Sequence, residues 1–136
     1  MKITVDTLAN TDLATAWAAY NTPADITRWN QASPDWHSPR SEVDLREGGR
    51  FTTRMEAKDG SAGFDFGGVY TKVVPNETVA YRMDDGREAT VQFAEEPEGV
   101  RIRVEFDAEG THSIEQQRDG WQAILDSFGR YVEGKR

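Results

Sequence analysis

The 136 residues suffice for one domain with its own core, and four Trp, six Phe and four Tyr exceed what a disordered chain carries. The net charge of −8 disfavours nucleic acid and anionic membranes, because their phosphate groups repel an acidic protein. No cysteine is present, which excludes disulfides, thiolate metal sites and a cysteine nucleophile. We expect a single cytoplasmic domain spanning 1–136, with no signal peptide, membrane span, metal or cofactor.

The first thirty residues predict a strand followed by two short helices. Ile3 and Val5 alternate with polar residues, as in a half-buried strand. Thr11 is the expected cap of the first helix, and Thr22, with Pro23 at the first helical position, is the expected cap of the second. The buried faces of these helices should carry the apolar residues at helical spacing, which are Leu13, Ala16, Trp17, Tyr20, Ile26 and Trp29.

The middle of the chain changes from helical to strand periodicity. Residues 30–40 are expected to form a loop, because Ser33 and Ser38 each precede a proline and the preceding residue then avoids helix. From Ser41 to Ala108, alternating apolar residues separated by glycine-containing turns predict about six strands. Strands joined by short connections, with the helices grouped at the two ends of the chain, indicate the α+β class.

Residues 113–134 predict one long amphipathic helix. Ser113 and Gln116 have the spacing of a capping box, and the stripe at helical spacing consists of Ile114, Trp121, Ile124, Leu125, Phe128, Tyr131 and Val132. Counting back seven residues from Ile124 and Leu125 gives Gln117 and Arg118, so helical phase turns two polar side chains inward. This break predicts a lined cavity under the helix. The alternative is that the stripe here reaches water, with Arg118 laying its stem on apolar surface.

Four sequence strings occur in an order that resembles a known superfamily. They are Asn21–Ile26 with Trp29; Asp44–Phe51; Gly68-Val69-Tyr70 with Val73 and Pro75; and Gly120-Trp121 with Leu125, Phe128 and Tyr131. Together they resemble the START-related superfamily, also called SRPBCC or Bet v 1-like. Within it, the chain is similar to the bacterial homologues of the activator of heat-shock protein 90 ATPase.

The resemblance implies a helix-grip fold. Such a fold has a curved antiparallel sheet of about six to seven strands around a long C-terminal helix, with two short helices after the first strand and an apolar cavity inside. The superfamily includes lipid and hormone carriers, cyclase-like enzymes and co-chaperone domains, so the fold does not fix the function. The co-chaperone role of eukaryotic relatives involves a further domain, for which 136 residues leave no room, so we do not expect that activity here.

Few polar side chains are candidates for chemistry. His37 is the best general acid or base, although a solvated loop histidine is the more frequent case; His112 is expected at the surface. Asp65 lies between two phenylalanines, so alternation turns it away from a cavity that they face unless a bulge shifts the phase. Arg54 and Glu56 should be solvated on the face opposite Met55.

The favoured hypothesis is that the protein binds a small apolar or aromatic molecule between the sheet and the C-terminal helix. Arg118 and Gln117 would orient its polar end, and the expected ligand contacts are Trp29, Trp36, His37, Met55, Phe66, Tyr81, Gln117, Arg118, Trp121 and Leu125. One alternative is an enzyme of cyclase or hydrolase type that acts on a bound carbonyl compound through His37, with Asp65 or Arg118. Another is a stress-response module for protein interaction. The sequence is also compatible with a weak homodimer or with a protein partner.

Overall fold

The computed structural model describes residues 1–134 and contains one antiparallel sheet and three helices. The strands are β1 (Lys2–Ala9), β2 (Trp36–Val43), β3 (Arg50–Ala57), β4 (Gly63–Val74), β5 (Thr78–Met83), β6 (Glu88–Glu96) and β7 (Gly99–Asp107). The helices are α1 (Leu13–Asn21), α2 (Pro23–Trp29) and α3 (Ile114–Glu133). The sheet runs in the order β1-β7-β6-β5-β4-β3-β2 and curls into a half-barrel, so the predicted α+β helix-grip fold is confirmed.

Period-2 alternation sets the inner face of the sheet. In β7, Val100, Ile102, Val104 and Phe106 are all buried, while the residues between them are more exposed. Burying a side chain of this size stabilises the fold by about 1.5–3 kcal/mol. The curved sheet therefore presents a continuous apolar surface to the helices.

The long helix α3 covers that surface. Phe128 and Val132 have no measurable exposure, and Leu125 lies at 2%. Gly129 faces β1, where a Cβ atom would lie 3.4 Å from the hydroxyl oxygen of Thr7, so a small residue allows the close approach of helix and strand. Gly120 has no such neighbour, since no heavy atom beyond its own helix backbone and chain neighbours would lie within 4 Å of a Cβ there. Within residues 1–134, no helix is both long and apolar enough to cross a membrane.

The predicted loop over residues 30–40 is wrong in its second half. Strand β2 begins at Trp36 and pairs antiparallel with β3. Pro39 falls within this strand, at a shift of register between His37 and Arg40. A proline is tolerated there because β2 is an edge strand with an irregularity, where a missing N–H breaks no ladder.

The helix caps agree with the sequence in two of three cases. The capping box of Ser113 and Gln116 is present at α3, and Thr22 occupies the N-cap of α2, although its side chain forms no capping hydrogen bond. The predicted cap Thr11 is wrong. Asp12 caps α1 instead by accepting a 2.8 Å hydrogen bond from the Thr15 amide, while the Thr11 hydroxyl is buried without a partner in residues 1–134.

Candidate functional site

A cavity of about 270 Å³ lies between the concave face of the sheet, the α1–α2 segment and α3. Its walls are mainly aromatic and aliphatic. The lining residues are Tyr20, Asn21, Ile26, Trp29, Asn30, Val43, Phe51, Thr53, Met55, Phe64, Phe66, Tyr70, Val79, Tyr81, Arg87, Val104, Trp121, Ile124 and Leu125. Phe64 is 48% exposed and marks a place where the lining meets solvent.

Six of the ten expected ligand contacts line this cavity: Trp29, Met55, Phe66, Tyr81, Trp121 and Leu125. Alternation explains the strand residues among them, because Thr53 and Met55 face inward with Phe51 on β3. Helical spacing explains Trp121 and Leu125, which lie one turn apart on α3. Whether these side chains touch a ligand stays a prediction.

The aromatic wall is held by contacts between its own rings. Phe51 lies at the centre, with ring centroids 5.7 Å from Phe66, 5.2 Å from Tyr70 and 4.9 Å from Tyr81. Trp121 stacks on Phe106 at 3.9 Å and 10°. Aromatic pairs of this kind are worth about 0.5–1.5 kcal/mol beyond the area that they bury. The wall is therefore preformed without a ligand.

Trp36 and His37 do not line the cavity. Trp36 lies opposite Ala57 and contacts Phe64, with ring centroids 6.1 Å apart, so it lies beside the exposed edge of the lining. His37 is the next residue of β2 and points to the other face of the sheet. Its imidazole is 44% exposed and lies 3.6 Å from Glu56. His37, an expected ligand contact, is therefore outside the cavity, because its segment forms a strand and not the predicted loop.

Asp65 lies on the outer face, as alternation predicts. Its carboxylate is 60% exposed and lies 3.5 Å from a guanidinium nitrogen of Arg54. Arg54 also binds Glu56 at 2.9 Å on the same face, and this hydrogen bond lowers the pKa of the Glu56 carboxyl. These are surface ion pairs, which contribute little to stability.

Gln117 and Arg118 do not contact the cavity either. Arg118 is exposed, so the expectation that helical phase turns it toward a ligand is wrong. Gln117 is buried, but its amide binds the chain that leads into α3. It accepts from the Glu109 amide at 2.8 Å and donates to the carbonyls of Glu109 and His112 at 3.1 and 2.9 Å. The polar residue in the apolar stripe of α3 therefore holds the loop before the helix in place and does not line the cavity.

Three tyrosine hydroxyls belong to the cavity instead. Tyr70 and Tyr81 are directly opposed on β4 and β5, and Tyr20 reaches the cavity from α1. None of the three hydroxyls forms a hydrogen bond with another group in residues 1–134. Burial raises the pKa of each phenol well above its usual range, so all three remain neutral hydrogen-bond donors at physiological pH. Tyr81 was expected from the sequence as an apolar wall, and Tyr20 and Tyr70 were missed.

Arg87 also lines the cavity and was not predicted from the sequence. It directly precedes β6, and counting back two residues from the buried Ala89 puts its side chain on the inner face. Its Nε binds the Asp85 carboxylate at 2.8 Å, and its Nη1 donates to the Asp107 carbonyl at 3.3 Å. Its Nη2 makes no hydrogen bond to any residue in 1–134. Among the described lining residues, Arg87 is the single ionised group.

Two asparagines line the cavity from the helical side. The Asn21 side-chain amide donates to the Trp17 carbonyl at 3.0 Å. Asn30 is 8% exposed as a residue, and its side-chain amide forms no hydrogen bond within the described residues and is open to the cavity. The cavity thus combines an apolar wall with a few polar groups whose hydrogen-bonding capacity the protein leaves unused.

Comparison with known proteins relates the chain to one family. The model of the activator of Hsp90 ATPase homolog 1-like proteins matches residues 10–133. Among solved structures, an AHSA1-like protein from Aeromonas hydrophila is 51% identical, with a TM-score of 0.93 over 99% of this chain and 94% of that chain. A protein from Cytophaga hutchinsonii is 46% identical, with a TM-score of 0.84 over 98% and 93%.

A more distant likeness concerns the fold alone. Protein CV1439 from Chromobacterium violaceum is 22% identical and superposes with a TM-score of 0.87 over 98% of each chain. A search among curated proteins finds no match. The family match covers most of the chain, and the two nearer structures are closely similar in sequence and fold. The chain therefore belongs to the family of activator of Hsp90 ATPase homolog 1-like proteins, as its sequence strings suggest.

Proposed function

We propose that the protein binds a small hydrophobic or aromatic molecule in the cavity between the sheet and α3. Proteins of this family and fold typically contain a ligand-binding cavity. The observation that carries the proposal is the cavity of about 270 Å³ with its apolar wall. Ligand sites commonly enclose about 300–1,000 Å³, so this cavity would suit a small ligand.

The wall supports binding more than catalysis. The enzyme hypothesis needs His37, with Asp65 or Arg118, to act on a carbonyl compound in the cavity. The His37 and Asp65 side chains lie on the outer face of the sheet, and Arg118 is exposed and outside the lining. The neutral phenols of the cavity can donate hydrogen bonds but are poor bases at physiological pH, because burial raises their pKa. Among the lining residues within 1–134, no pair combines a nucleophile with an activating base.

The test uses the neutral fluorophore N-phenyl-1-naphthylamine, whose emission rises in an apolar site. We expect saturable binding at one site per chain. Met55→Trp should weaken this binding at least tenfold, because the larger side chain fills space in the cavity. Val69→Trp is the matched control, since it adds the same ring on an exposed position outside the lining.

Two results would contradict the proposal. One is that the wild type does not bind the fluorophore. The other is that Met55→Trp and Val69→Trp bind it as tightly as the wild type does. Native mass spectrometry of the purified protein would, in addition, detect any small molecule that the cavity retains.

A further inference from the structure

We propose that the cavity selects apolar molecules that carry an anionic oxygen group, such as a carboxylate, and that Arg87 and Tyr81 bind this group. The inference rests on the proposed function and defines the chemical class of its ligand. It also moves the polar anchor from the exposed Arg118 on α3 to the sheet side of the cavity.

The first support is the way in which Arg87 is held. Two of its guanidinium nitrogens are engaged, with Nε on the Asp85 carboxylate and Nη1 on the Asp107 carbonyl. These contacts fix the plane of the group at the base of β6 and leave Nη2 without a partner in the described chain. A fixed guanidinium loses little conformational freedom when it binds an anion. Its side chain is 24% exposed, so solvent screens it only partly.

The second support is the pair of neighbouring phenols. Tyr70 and Tyr81 are each 6% exposed, and their hydroxyls have no hydrogen-bonding partner in residues 1–134. Among residues 1–134 the Thr11 hydroxyl is the one side-chain polar atom that is fully buried without a partner, so the two phenol oxygens are open to the cavity that their side chains line. Polar groups in such a position are normally satisfied by water or by a ligand. Tyr81 lies within electrostatic range of Arg87, whose charge acts against the rise of the Tyr81 pKa. Tyr81 pairs with Ala89, and Arg87 lies two residues before Ala89 on the same inner face, so the two side chains are diagonal neighbours across β5 and β6. Both line the cavity, where one bound oxygen group can accept from both.

The third support is the sign of the charge in the lining. Arg87 is cationic, and the described lining contains no carboxylate. Asp85, which pairs with Arg87, is 54% exposed and does not line the cavity. An ammonium group would therefore meet a guanidinium and two donor hydroxyls, whereas a carboxylate would meet three suitable donors. This arrangement favours acids over amines.

The test compares two probes that share one aromatic body. N-phenyl-1-naphthylamine is neutral, and 8-anilinonaphthalene-1-sulfonate adds an anionic oxygen group to the same skeleton. Arg87→Met should weaken binding of the sulfonate about tenfold or more, the range for a lost charge-assisted hydrogen bond, and change binding of the neutral probe less than twofold. Arg82→Met is the control, because it removes one positive charge at an exposed position outside the lining.

Tyr81→Phe provides a second variant that removes one hydroxyl and keeps the ring. It should weaken the sulfonate several-fold and leave the neutral probe unchanged, and it decides the question if Arg87→Met does not fold. Sulfonate affinity that is equal in the wild type, Arg87→Met and Tyr81→Phe would overturn the inference. Equal losses for both probes would also overturn it, because the role would then not depend on ligand charge. Failure of the neutral probe to bind the wild type would instead overturn the proposed function.

Discussion

Replacing Gln117 with leucine should destabilise the protein although leucine suits a buried helical position. The Gln117 amide forms three hydrogen bonds of 3.1 Å or less with the backbone of residues 109–112. Each hydrogen bond contributes about 0.5–1.5 kcal/mol to the free energy of unfolding, and the leucine side chain offsets about 1 kcal/mol of the loss by burying more apolar surface. The free energy of unfolding should therefore fall by about 1–3 kcal/mol.

Urea denaturation measures this change. With a slope of about 1–3 kcal/mol per molar urea, the midpoint should fall by roughly 1 M. Gln92→Leu is the matched control, because Gln92 is exposed on β6 and surface substitutions usually change stability by less than about 0.5 kcal/mol. Hydrogen exchange adds a local readout, since the Glu109 amide should lose its protection. Equal midpoints for the two variants, or an unchanged exchange rate at Glu109, would refute the assigned role of Gln117.

Three further predictions concern the core, the sheet and pH. Phe128→Ala should lower the free energy of unfolding by about 3–5 kcal/mol, because the ring is fully buried; a loss below about 1 kcal/mol in urea would contradict its place in the core. Gly68→Ala should cost about 1–3 kcal/mol and lower Tm in circular dichroism, because its Cβ would lie 2.2 Å from a backbone oxygen of β5; an unchanged Tm would contradict this packing. Burial raises the pKa values of Tyr20, Tyr70 and Tyr81, so the folded state favours their neutral phenols. The stability of the fold should therefore be unaffected by these groups below the pKa of an unfolded tyrosine, near 10, and should fall as the pH rises above about 10. Phenolate absorbance from these three residues should therefore appear together with unfolding, and its earlier appearance would contradict their burial.

Much of the fold follows from periodicity in the sequence. The alternation on β3 and β7 and the stripe on α3 each need only local spacing, and the structure confirms the inner faces that they predict. The wall residues Met55, Phe66 and Trp121 follow from the same spacing. Local patterns are informative here because each element buries one face.

The polar groups of the site could not all be predicted, for two physical reasons. Gln117 has the helical phase of a cavity residue, but its partners are backbone groups of a loop whose path the sequence does not specify. His37 lies on the outer face of the sheet because its segment pairs with β3 as an edge strand. Local sequence does not predict such pairing, which depends on the whole sheet. Arg87 did carry a signal, since it lies two residues before the buried Ala89. Because Arg87 directly follows the Asp85-Gly86 turn, the sequence does not show whether it belongs to the turn or continues the alternation of β6, which begins at Glu88.

The strand order has a consequence for how the chain assembles. Five of the six strand pairings join strands that are consecutive in the chain, from β2 to β7. The sixth pairs β1 with β7 and aligns Lys2 with Asp107 and Ala9 with Val100, so it closes a loop of roughly a hundred residues. Long-range closure of this kind is slow compared with hairpin formation. We expect the meander to form first and β1 to dock late, together with α3, so the edge of β7 is open to incorrect pairing until the two ends of the chain meet.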